Sequence, residues 1–148
     1  MHNIINNSKY NIYIIKTTET KPTFTQNNKR FKVLNASRVD VYKMTIDGGI
    51  IKIGERCDYG LFVESTDTLF LIELKGCEID KAYSQLYSTY KWFRDKVDDI
   101  SCYDIKVRVV CSKVPRLIRI EKFRKLFRQN GVFDVASPKE NEMSSDVV

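Results

Sequence analysis

Three residues near the middle of the chain have the types and spacing for chemistry: Asp58, Glu73 and Lys75. Two apolar runs, YGLFV at 59–63 and LFLIEL at 69–74, flank the polar break Glu64-Ser65-Thr66-Asp67-Thr68. Runs of that length around a short polar segment predict an antiparallel hairpin. A turn centred between Thr66 and Asp67 puts Asp58 opposite Lys75. Directly opposed residues share a face, and so do alternate residues along one strand. All three side chains therefore leave the hairpin on the same side. Two carboxylates and an ammonium in so apolar an element carry a desolvation cost unless something binds there. A hard cation such as Mg²⁺ is held by one or two carboxylates, waters and substrate phosphate. The pattern therefore points to Mg²⁺, with Mn²⁺ as a substitute, and a phosphodiester. Lys75 would stand beside a metal-bound water and offset charge on the attacked phosphate. The competing reading is an interstrand salt-bridge cluster on a solvated sheet face, where exposed pairs contribute little. Against it, LFLIEL is apolar at both parities, as in a strand covered on both faces.

Asp58, fourteen residues, then Glu73-Leu74-Lys75 resembles the D…(D/E)-x-K signature of the PD-(D/E)XK nuclease superfamily. This is the restriction-endonuclease-like, Holliday-junction-resolvase-like fold, and the resemblance covers roughly residues 40 to 112. The order of elements agrees with it: Asp58 begins a strand, Glu73 and Lys75 alternate in the next, and Gly76 opens a helix. Cys57, not proline, precedes the aspartate. The resemblance implies a metal-dependent endonuclease acting on nucleic acid, DNA before RNA. It implies that Asp58, Glu73 and the Leu74 carbonyl hold Mg²⁺, and that Lys75 assists the attacking water. Some branches place a glutamine on the following helix, which suggests Gln85 leaning over the site. Resolvase-like members add a glutamate from an opening helix; here Glu55, three residues before Asp58, is a better substitute than Glu19.

The elements that must position these groups follow from periodicity. YNIYII (10–15), FKVL (31–34) and VDVYKMTI (39–46) read as strands, with residues 17–30 as a polar loop. Asp47-Gly48-Gly49 predicts a tight hairpin returning through IIKIG (50–54). Ile79, Ala82, Tyr83, Leu86, Tyr90, Phe93 and Val97 then mark one face of a helix over 78–97. IKVRVVCS (105–112) is a strand, Arg119 to Gln129 a basic amphipathic helix, and VFDV (132–135) a final short strand. The expected fold is α/β: a mixed central sheet flanked by helices, a restriction-endonuclease-like core with a β-rich N-terminal part. Residues 1–135 form one domain, and the polar tail 136–148 reads as disordered.

The net charge of +6 is unevenly spread. Lys or Arg stands at 106, 108, 113, 116, 119, 122, 124, 125 and 128, against one acid in that span, Glu121. A basic surface beside a carboxylate cluster suits a polyanion. Lys113, Arg116 and Arg119, with Arg38 and Lys43, are the candidate phosphate contacts. Four cysteines lack C-x-x-C spacing and the single histidine is His2, which argues against zinc and for reduced thiols. No run of about 18 apolar residues predicts a membrane span, and the N-terminus has no secretory pattern. These features predict an intracellular, cytoplasmic protein, and the abundance of Asn, Ile, Lys and Tyr points to an AT-rich microbial or viral genome. Its small size favours a homodimer or a larger complex. The alternative to a nuclease is a catalytically silent module of the same fold that binds nucleic acid or protein.

Overall fold

The computed structural model describes residues 1–76, 78–114 and 120–146. In chain order the elements are α1 (His2–Ile5), β1 (Ile14–Thr17), β2 (Thr23–Gln26), β3 (Lys29–Leu34), β4 (Val41–Thr45), β5 (Tyr59–Val63), β6 (Thr68–Lys75), α2 (Ile79–Lys96), β7 (Asp104–Cys111), α3 (Ile120–Arg128), β8 (Asp134–Val135), β9 (Lys139–Glu140) and β10 (Glu142–Asp146). The protein is mixed α/β. Its main sheet runs β1-β4-β5-β6-β7-β8, with β9 also on the outer edge of β7. β1, β4, β5 and β6 pair antiparallel, whereas β6 and β7 pair parallel across the α2 crossover.

β6 is central because its sequence is apolar at both parities, so both of its faces need cover. Leu69 and Leu71 pack with Tyr83, Leu86, Phe93 and Phe127 of α2 and α3. Phe70, Ile72 and Leu74 pack on the opposite face with Phe24, Phe31, Val33 and Met143. That second cover is a three-stranded sheet, β10-β3-β2. The expectation of helices flanking the sheet therefore holds for one face only; the described residues place a small sheet on the other.

Four local expectations also change. The tail expected to be disordered carries β9 and β10; β10 pairs in parallel with β3 and buries Met143. One inward methionine among polar residues suffices there, because β3 offers an open backbone edge. The Asp47-Gly48-Gly49 turn exists, with Ile50 N–H donating to the Thr45 carbonyl at 3.1 Å, but no return strand follows it. Both edges of β4 are already taken, by β1 and β5, so Ile50 and Ile51 drop into the core instead. Gly49 is required at this turn: a Cβ there would stand 2.3 Å from the Thr45 carbonyl oxygen. Most of YNIYII is a 3₁₀ turn over Ser8–Tyr13, which sets Tyr10 edge-on to Trp92, and β1 starts only at Ile14. Conversely, the predicted loop at 17–30 contains β2.

Candidate active site

The β5–β6 hairpin closes through Glu64–Thr66 and Asp67, which takes a left-handed conformation (φ 48°). Val63 pairs with Thr68 and Tyr59 with Ile72. Extending that register sets Asp58 opposite Glu73 rather than Lys75. The difference is an even number of residues, so parity survives and the three side chains keep one face. That face is the helix-covered one, shared with Leu69 and Leu71.

The two acids are cross-braced by backbone. Asp58 N–H donates to Glu73 Oε2 at 3.1 Å, and Leu74 N–H donates to Asp58 Oδ2 at 2.8 Å. Leu74 thus enters the site through its amide. Lys75 Nζ lies 3.7 Å from Glu73 Oε1 and donates to Gln85 Oε1 at 3.0 Å. Gln85 in turn donates to the Arg56 carbonyl at 2.9 Å, which ties α2 to the segment leading into Asp58. Gln85 therefore leans over the site and orients the lysine.

Thr89, one turn further along α2, was not legible as a site residue. It is fully buried, accepts from Cys57 N–H at 2.8 Å and donates to the Gln85 carbonyl at 2.9 Å. A hydroxyl on an otherwise apolar helix face was the available signal. Thr89→Val is expected to cost about 1–3 kcal/mol by leaving the buried Cys57 N–H unpaired. Thr89→Ser should restore most of that loss, as read by urea unfolding.

Burial, then the Asp58 charge, pushes the Glu73 carboxyl up to about 8, with Lys75 acting in the opposite direction. Glu73 is only 1% exposed. Asp58 is also raised, mainly by burial, while the Leu74 N–H favours its ionised form. Asp47 acts on both acids as a further negative charge and is held by Arg56 Nε at 2.6 Å. It reaches the site because the 46–58 loop folds back, with Ile46 N–H donating to the Asp58 carbonyl at 3.0 Å. In the sequence Asp47 shows only as a turn residue, with no local sign of this reach.

The other candidates divide. Glu55 is exposed and accepts from Ser84 Oγ at 2.9 Å, a tether to α2. Lys113 follows β7 at the end where Cys111 pairs with Lys75, so it shares the site's edge of the sheet. Arg38 does not: it precedes Val41, which pairs with Val63 at the far end of β5. Lys43 faces the opposite layer, with Nζ 5.2 Å from the Phe24 ring centre. Arg116 and Arg119 lie outside the described residues. The basic third is partly neutralised, since Arg108 is buried against Asp134 and Lys106, Lys122 and Arg124 pair with acids. Of the described cysteines, Cys57 and Cys111 are buried and Cys102 is exposed.

The donor set fits a hard cation. Mg²⁺ usually retains waters and uses one or two carboxylates instead of an all-protein cage. Among the described residues no three His, Cys, Asp or Glu side chains form such a cage, and the braced Asp58–Glu73 pair matches the lighter requirement. No helix among the described residues is long and apolar enough to cross a membrane. Compared with known proteins, the chain matches no family model, no curated protein and no solved structure.

Proposed function

We propose that this chain is a Mg²⁺-dependent nuclease of PD-(D/E)XK type that hydrolyses phosphodiester bonds of nucleic acid, DNA before RNA. The observation that carries this reading is the convergence of Asp58, Glu73 and Lys75 on one buried face, with Gln85 holding the lysine. Asp58 and Glu73 would hold the cation, which when bound supplies Lewis-acid polarisation and a more acidic water. The chain's own residues do the rest. The Leu74 and Asp58 amides fix the two carboxylates, which limits reorganisation during the reaction. Lys75 orients the attacking water and offsets charge gathering on phosphorus. The water oxygen bonds to phosphorus as the P–O3′ bond breaks, leaving 5′-phosphate and 3′-hydroxyl ends. The reading includes two copies of the chain acting on a duplex.

The test is incubation of purified protein with single-stranded, duplex and junction DNA and with RNA, in Mg²⁺ or Mn²⁺. Cleavage of at least one substrate, lost with EDTA and with Asp58→Ala, is expected. Binding without cleavage of any of them would instead match a catalytically silent module.

A further inference from the structure

The layer opposite the helices holds a feature that the triad does not use. β2 and β3 are joined by Asn27 and Asn28, both left-handed (φ 47° and 63°), a turn of the I′ type that closes two-residue hairpins. Phe24 and Phe31 pair across this hairpin and point at the main sheet, where Phe24 meets the Tyr59 ring at 5.2 Å and Phe31 meets Phe70 at 6.1 Å. Two residues further toward the tip, on the same inward parity, stand Gln26 and Lys29, themselves a paired couple. The tip lies over the triad's end of the sheet. Arg30 N–H donates to the Asn141 carbonyl, and Asn141 N–H donates to the carbonyl of Cys111, the residue paired with Lys75.

Around this tip is a cavity of about 600 Å³, lined by Gln26, Asn27, Asn28, Lys29, Arg30 and Asn141 among others. Lys29 is the telling residue. It is 5% exposed, yet among the described residues its ammonium has no carboxylate partner, only the Asn27 carbonyl at 2.9 Å. Three N–H bonds in so buried a place call for acceptors. Glu142, also on the wall, pairs with Lys32 and, at 3.6 Å, with Arg30 of the same wall, and not with Lys29. The other donors are amides, the Thr25 hydroxyl and the Arg30 guanidinium that pairs with Glu142. Gln26, paired with Lys29, connects the cavity to the triad, because its side chain approaches the Asp58 carboxylate.

We infer that the β2–β3 tip is a phosphate-binding subsite: Lys29 and the Asn28 amide hold the nucleic-acid backbone beside the bond presented to Asp58, Glu73 and Lys75. The ligand is the strand's phosphodiester, gripped by an ammonium that no acid among the described residues satisfies. The subsite rests on the nuclease reading only for its purpose; its binding is measurable without any reaction.

The experiment is fluorescence anisotropy in EDTA, with a fluorescein-labelled 12-nucleotide DNA as single strand and as duplex, over a salt series. Lys29→Met replaces a buried ammonium by an apolar chain of similar volume, a change proteins often tolerate. It should raise Kd about tenfold and lower the slope of log K against log salt by about 0.7 for the single strand or 0.9 for the duplex. Asn28→Gly keeps the left-handed turn and should raise Kd about threefold without changing the slope. Lys91→Met, which removes the same charge from a distant exposed site on α2, should stay within twofold of wild type. The subsite is refuted if Lys29→Met binds both probes within twofold of wild type with an unchanged slope, or if the wild type binds neither. Unchanged binding by the tip variants alongside wild-type cleavage sinks the subsite alone. Weakened binding by those variants, with no cleavage by any protein, sinks the nuclease reading alone.

Discussion

Lys75→Ala is expected to slow Mg²⁺-dependent cleavage by about 10³-fold, within the range that a positioned acid–base or charge-stabilising group supplies. The protein should stay folded. The side chain is partly exposed and gives up two polar contacts, with Gln85 and Glu73. Its loss also removes the cation that favours the ionised form of Glu73, so the acid becomes harder to deprotonate. Single-turnover rates at saturating metal, with circular dichroism to confirm the fold, read the effect. A rate within tenfold of wild type would remove Lys75 from the chemistry and leave it a counter-charge for Glu73.

The second large effect is a pH dependence set by Glu73. An acid whose folded value is raised to about 8, from an ordinary 4.5, is protonated in the metal-free native protein at pH 6 and ionised in the unfolded chain. The native state then binds more protons than the unfolded one, so stability falls as pH climbs between those two values. The slope from this one group approaches about 1.4 kcal/mol per pH unit in the middle of the window. Asp58 is raised as well and acts in the same direction. Glu73→Gln should flatten the fall and raise stability near pH 8. Metal loading must expel the same proton, so Mn²⁺ affinity should rise roughly tenfold per pH unit up to pH 8 and level off above it. Calorimetry between pH 6 and 9 measures this. Affinity constant across that range would show that Glu73 is not protonated before binding.

The central hairpin was legible because its apolar runs are long and its polar break short. The turn centre was misplaced by one residue, which exchanges Lys75 for Glu73 as the partner of Asp58. Period-2 geometry forgives an even register error, so the shared face came through. α2 was legible for a similar reason, since its apolar face repeats over the whole helix. The second sheet was not. β2 and β10 are short and largely polar, with Phe24 and Met143 as their buried apolar residues, and composition alone reads such segments as loop or tail. The Asp47 contribution was hidden because it depends on whether the edges of β4 are free, a tertiary fact. Gln26 and Lys29 were hidden likewise: nothing local says that a polar hairpin tip overhangs a carboxylate on another layer.

The most direct measurement is anomalous scattering from crystals of the full chain soaked in Mn²⁺. One ion bonded to carboxylate oxygens of both Asp58 and Glu73, with Lys75 beside it, is the predicted result. Ions bound only elsewhere, with these two acids still braced by the Leu74 and Asp58 amides and unliganded, would contradict it.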